Sequence, residues 1–424
     1  MHLRTLACLA AAALLPAQEV DVKAELAKQN ARIAELEQKL ASRPEAKPEA
    51  KPEAKPEAFK FPAELTPYIL IDATLGSKTN ATADGRTKVD FMESWFSGSR
   101  WGLKGAIKTN VDGLSVIYKL ESEYFLYDGE QGKANTLFNR DAWLGIKSKE
   151  LGQITFGRQN TLARDFAVIY GDPFAHAEVN YDEGGWTNNN NFKALVYYAG
   201  AVSVGSPTGG PAQTRIDKGV VWKKVTDGGF AMGAAYNLNY EPNTTTKNST
   251  ASMALGYNAK VFHLAGFYTQ ANNNGFTQKS ASLGGNVKPL PWLRLNAGYF
   301  HYTAEQGLNH PDRKDAAFTV SASIQTDPKW SYYLGFQSMK ADDAGLGAAT
   351  GAWQNPFADT ANKTFFVSGR RDTTYGAVRR HLSKKMEAYV VFDYLKLHDA
   401  FRLSATNPHD SQTEFAIGMR IRAL

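Results

Sequence analysis

The chain has 424 residues, with 48 lysines and arginines against 42 aspartates and glutamates, a net charge of +6. So small a basic excess over so long a chain argues against a nucleic-acid partner, and one cysteine, Cys8, excludes an intrachain disulfide. No run of eighteen apolar residues is available for a membrane-crossing helix, but a mean hydropathy of −0.39 with 36 glycines and 12% aromatics still suits a membrane barrel, whose strands alternate apolar and polar side chains.

Residues 1–17 read as a secretory signal: Arg4 is the positive head, 6–15 the apolar stretch, and Pro16-Ala17 the cleavage site. Residues 18–42 follow a heptad. Leu26, Ile33 and Leu40 share one core position; Val22, Gln29 and Leu36 share the other. Arg32, Ile33, Leu36 and Glu37 resemble a short trimerisation motif of coiled coils, in which an arginine at g lies across the neighbouring helix towards a glutamate at e. Residues 43–60 contain Arg-Pro-Glu-Ala and three copies of Lys-Pro-Glu-Ala. A proline at every fourth position forbids a continuing helix, so this segment is expected to be an extended spacer of up to roughly 50 Å, at about 3.1 Å per residue. Residues 1–58 balance their charges, nine against nine, so the net +6 belongs to the remainder.

From 61 to 424 the pattern has period two, with turn signals every ten to fifteen residues. After the turn 109–113, Leu114, Val116, Tyr118 and Leu120 fall on one face, and Lys119, Glu121 and Glu123 on the other. A charged face needs water and an apolar face needs lipid or core. A soluble sandwich hides the apolar face inside; a barrel in lipid turns it outward. Such strands recur to the end, with short turns alternating with long polar loops, which is the bacterial barrel pattern. Aromatic pairs such as Tyr299-Phe300 and Tyr332-Tyr333 are expected in an interfacial girdle. The fold is therefore read as all-β, a transmembrane antiparallel β-barrel of 16 strands, or 18 if residues 191–214 add a hairpin, preceded by a short helical coiled coil.

Several stretches resemble the general Gram-negative porins: Ser99-Arg100-Trp101-Gly102-Leu103-Lys104-Gly105, Tyr118-Lys119-Leu120-Glu121-Ser122, Asn139-Arg140-Asp141-Ala142-Trp143-Leu144-Gly145, Phe156-Gly157-Arg158-Gln159, the hairpin His381-Leu382-Ser383-Lys384-Lys385, and the closing Phe415-Ala416-Ile417-Gly418-Met419-Arg420. The chain departs from the family in ending Arg422-Ala423-Leu424, where an aromatic residue is usual. The resemblance implies an outer-membrane homotrimer set among outer-membrane lipid and lipopolysaccharide, passing ions and small hydrophilic solutes without cofactor or catalysis. The coiled-coil arm is absent from most general porins but is similar to the periplasmic helical extensions of some substrate-selective relatives, and is expected in the periplasm.

It also implies that residues 160–190, before a strand expected at 192–199, fold into the lumen as a constriction loop carrying Arg164, Asp165, Asp172, His176, Glu178, Asp182 and Glu183. Facing them, a basic wall of Arg100, Lys104, Lys119, Arg140 and Arg158 would complete a transverse field. Strand parity supports Arg100 and Arg140, taking Trp101 and Trp143 as their lipid-facing neighbours. Scattered histidines without a His-x-x-x-His pair argue against a metal site, and no Gly-x-Ser-x-Gly elbow or phosphate loop points to an enzyme. Two alternatives stay open: a substrate-selective channel for anions, dicarboxylates or phosphate, and a structural tether acting through the coiled-coil arm.

Overall fold

The computed structural model describes residues 22–41, 64–189, 191–192, 214–237, 249–273, 276–306, 310–346, 365–404 and 406–423. The expected signal sequence and the proline-rich spacer lie outside these residues. The chain divides into two units, Met1–Lys60 and Phe61–Leu424. In the first, α1 (Val22–Ala41) is a single amphipathic helix. Its Leu26, Ile33 and Leu36 are exposed on the single chain, and Lys39 Nζ pairs with Glu35 at 2.8 Å one turn away.

In the second unit the chain runs through β1 (Thr66–Lys78), β2 (Lys88–Met92), β3 (Arg100–Lys108), β4 (Leu114–Glu123), β5 (Asp141–Ser148) and β6 (Gly152–Asn160). A helix, α2 (Leu162–Gly171), comes next, followed by β7 (Arg215–Val225), β8 (Phe230–Asn237), β9 (Ser249–Asn258), β10 (Phe262–Asn273), β11 (Phe276–Leu290) and β12 (Leu293–Ala304). The series ends with β13 (Arg313–Asp327), β14 (Trp330–Leu346), β15 (Phe365–His381), β16 (Met386–Asp399) and β17 (Ser411–Ala423). All pairings between these strands are antiparallel, and β17 returns to β1, from Ile69 opposite Ala423 to Lys78 opposite Glu414, to close the barrel. Both β2 and β3 pair with the same side of β1. They are two halves of one stave, so the seventeen segments among the described residues make sixteen staves.

Side-chain alternation sorts the wall. On β12, Leu295 and Tyr299 point outward and are exposed, while Asn296, Phe300 and Tyr302 point inward and are buried. The same rule exposes Leu144 and Phe156, Leu255, Leu283, Leu334, Phe392 and Ile417, an apolar outer belt suited to lipid. On β4 the two faces fall as the sequence reads: Glu121 is buried on the inside opposite Asp141, and Leu120 lies opposite Ala142 on the outside.

Three expectations are corrected. The aromatic pairs are not both girdle residues: Phe300 and Tyr333 face inward and pack on Tyr170 and Phe174, because adjacent strand residues must take opposite faces. The residue Phe192 is not in a strand. It sits in a turn, buried against Trp95 and Tyr375, and β7 follows only at Arg215; residues 193–213 lie outside the described residues. Finally, Trp143 does not face lipid. It lies opposite the inward Lys119 and donates its indole N–H to Glu183 at 2.9 Å.

Candidate functional site

The inward fold of the loop after β6 follows from its first ten residues. Thr161 caps α2, its hydroxyl accepting from the Arg164 N–H at 3.2 Å, and Asp165 in the first turn suits the helix dipole. Every residue of α2 is buried. Leu162, Phe166, Ile169 and Tyr170 lie against the inner faces of β8 to β13, which present Ala231, Gly233, Ala254, Ala265, Gly284 and Gly298 to receive them. Each large apolar side chain so buried contributes about 1.5–3 kcal/mol. Small residues on the wall and large ones on the helix are complementary.

A second inward segment, missed by the sequence reading, meets the loop from the opposite side. Between β2 and β3, residues 93–99 leave the wall, and Trp95 and Phe96 are buried against Phe174 and Phe192. The backbone N–H of Asn189 donates to the Trp95 carbonyl at 2.8 Å, and that of Asn188 to Phe96 at 3.0 Å. The adjacent aromatics Trp95-Phe96 were the available signal, since both are buried on the inner side, which two neighbours in a strand cannot be.

Charged groups gather where residues 183–184 meet β3 to β7. Lys119 Nζ lies 2.6 Å from Asp141 and 2.7 Å from Glu183. Arg140 pairs with Glu121 and, at 2.7 Å, with Glu123; Arg100 lies 3.8 Å from Glu121. Two members were not anticipated: Arg215, 3.2 Å from Asp141, and Tyr68, whose hydroxyl donates to Glu121 at 2.7 Å. Burial works against the Arg140 charge, but Glu123 and Glu121 outweigh it and hold its guanidinium above the ordinary range. Burial, with Arg215 and Arg140 beside it, lowers Arg164 to about 9. Burial and then Asp141 push the Glu183 carboxyl up to about 7, against the pull of Lys119.

The remaining expected residues are dispersed. Lys104 is exposed on the inner face, 5.7 Å above the Tyr68 ring. Arg158 does not join the basic wall: it lies opposite Ala142, on the face of Leu144 and Phe156, and pairs with exposed Asp217. Asp165 is buried with Lys223 Nζ at 2.8 Å and also accepts from the Gly184 N–H. Asp172 accepts from the N–H groups of Phe174 and Thr187, and burial raises its pKa. Burial lowers His176. Glu178 and Asp182 are exposed. Of the loop carboxylates, only Glu183 contacts the basic wall. An acidic loop opposed to a basic wall is therefore not the arrangement found; acids and bases interleave on one wall, with Glu121 and Asp141 lying beneath the cations.

A model of the Gram-negative porin family matches residues 63–400. An outer membrane porin protein of Bordetella pertussis is 25% identical over 287 residues, 61% of this chain and 67% of the relative. Among solved structures, an anion-selective porin from Comamonas acidovorans superposes with a TM-score of 0.64 at 16% identity, over 85% of this chain and 99% of that one. An outer membrane protein of Vibrio cholerae gives 0.56 at 16% identity, over 87% of this chain and 100% of that one.

Proposed function

This chain belongs to the Gram-negative porin family, and from that premise we propose that it is a water-filled outer-membrane channel for passive diffusion of ions and small hydrophilic solutes, with anions favoured. The preference rests on the order of depth in the charged cluster. The side chains of Arg100 and Lys119 are 16% and 15% exposed, whereas those of Glu121 and Asp141 are 4% and 0% exposed. Glu121 and Asp141 anchor these two cations from below, while Glu123 and Glu183, 19% and 16% exposed, share with them the surface a solute meets. Burial and Asp141 raise the pKa of the loop's own Glu183 to about 7, which favours its neutral form and leaves the surface more basic. The anion-selective barrel of Comamonas acidovorans makes anion preference the first sign to test.

Residues 160–190, with 93–99, narrow this channel in our reading, and α2 fixes the loop while Glu183 and Lys119 tie its edge to the wall. Three copies assemble through their apolar outer faces. The helix α1 supplies a periplasmic coiled coil, in which Ile33 and Leu36 leave solvent and Arg32 meets Glu37 of a neighbour.

Purified protein in a planar bilayer under a salt gradient tests the proposal. Openings in groups of three and a reversal potential of anion sign support it. A cation sign overturns the selectivity, and independent single openings overturn the trimer.

A further inference from the structure

Residues 173–175 of the inward loop and the short-turn ends of β11 to β14 enclose a cavity of ≈ 210 Å³ outside the charged cluster described above. Arg294 dominates it. Its Nη atoms donate to the carbonyl oxygens of Pro173 and Ala175 and to Ser323 Oγ, all of them neutral. Among the described residues no carboxylate forms an ion pair with it, and its buried Nε has no hydrogen-bond partner. Arg379 also lines the cavity; its side chain is 8% exposed, and its buried Nε is likewise unpartnered among the described residues. Glu387 lies 3.5 Å from Arg379 but also pairs with Arg420. Asp172, the loop acid beside the cavity, is turned to the N–H groups of Phe174 and Thr187.

A guanidinium clamped by neutral acceptors, with its charge uncompensated and partly out of water, is costly unless an anion completes it. Arg294, which no carboxylate among the described residues compensates, and Lys288 on the same lining suit the charge of a carboxylate, while Arg379 is already paired with Glu387. The rest of the lining is mixed: Phe174 and Tyr333, with ring centroids 4.8 Å apart, and Trp292 offer flat aromatic faces, while Lys288, Gln325 and Ser331 are polar. Its volume falls below the roughly 300–1,000 Å³ of sites for drug-sized molecules, which limits the occupant to about one ring.

We infer that this cavity is a subsite for small aromatic monocarboxylates, located beyond the inward loop on the short-turn side of the channel. The inference rests on the channel reading, because the solute reaches the cavity through the lumen.

The test uses the full-length protein in a planar bilayer with chloride carrying the current, so the chloride conductance reports separately whether the channel reading holds. Sodium benzoate should cause a saturable, concentration-dependent block, with acetate and neutral benzamide at least tenfold weaker. Arg294→Gln should weaken the benzoate block at least tenfold, and Lys288→Gln, at the cavity's exposed edge, should weaken it by less. Equal block by acetate and benzoate overturns the aromatic specificity. Unaltered benzoate block in Arg294→Gln, or its absence from a wild-type channel that conducts chloride, overturns the site. Should Arg294→Gln not assemble, Ser323→Ala and the wild-type comparison of benzoate with acetate and benzamide decide the same question.

Discussion

Tyr170 lies directly on Gly298: a β-carbon added to that glycine would stand 2.2 Å from Cδ2 of the ring. Gly284, paired with Gly298 across the β11–β12 ladder, meets the same ring at 2.6 Å, and the Tyr170 hydroxyl reaches Ser282 at 2.7 Å. Two glycines in register thus make a slot in the wall, and the last turn of α2 is keyed into it. Gly298→Ala should displace the ring at a cost of about 1–3 kcal/mol. A broadened distribution of single-channel conductance, with the barrel still assembled, is the expected outcome; a conductance distribution like wild type refutes the keying.

Glu183 makes ion preference depend on pH. With its pKa raised to about 7 by burial and Asp141, it is mostly protonated at about pH 5.5 and mostly ionised at about pH 8.5. Protonation removes a negative charge from the basic wall, so anion preference should rise as pH falls through 7. Reversal potentials measured at the two pH values should differ in that sense, and Glu183→Gln should hold the low-pH value at both. An equal pH response in the variant would place the titration elsewhere.

Lys223 and Asp165 are a buried pair, with side chains 5% and 3% exposed. Removing the cation strands the carboxylate, and breaking such a pair costs about 3–5 kcal/mol. Lys223→Met should therefore lower the thermal transition of the folded barrel and increase cleavage of the inward loop by added protease. Lys223→Met combined with Asp165→Asn should recover part of that loss. If the double variant is worse than the single one, the pair is not the cause.

Arg100 and Arg158 separate inside from outside. A unit charge about 10 Å from a passing ion in water is worth about 0.4 kcal/mol, a factor of about two in occupancy. Arg100→Gln should lower the anion-to-cation permeability ratio by at least that factor, whereas Arg158→Gln should leave it unchanged. Reversal potentials of both variants under one salt gradient provide the comparison, and an equal effect of the two would show that Arg158 also reaches the lumen.

The contrast between these two arginines shows what the sequence carries. Alternation on β4 assigns Glu121 and Leu120 to opposite faces without reference to anything distant. The same rule, counted from Phe156 two residues before it, puts Arg158 on the outer face, not in the lumen where resemblance and parity together had it expected. Trp143 misled because an indole suits lipid as well as it suits a buried carboxylate: the ring is apolar and its N–H is a donor. The stretch Phe166-Ala167-Val168-Ile169 is a helical apolar signal lodged in a loop scanned for charges. Arg215 and Lys223 were harder to anticipate. Their roles depend on which residues α2 and Glu183 bring near them, and that is set by packing across the barrel rather than by neighbours in the chain.

The divided stave has a consequence for redesign. Where residues 93–99 leave the wall, the ladder from β1 is interrupted between Leu70 and Thr74. In hydrocarbon an unpaired backbone group is expensive. Side chains fill the gap: the Asp72 N–H donates to Ser99 Oγ at 3.1 Å, the Ser97 N–H to Asp72 Oδ2 at 2.9 Å, and the Trp95 N–H to Thr74 Oγ1 at 3.0 Å. Three short polar residues thus act as caulking between planks. An engineer who wished to hang a second plug inside another barrel would have a recipe here: cut one strand, and give its neighbour an aspartate and, two residues on, a threonine to hold the cut ends.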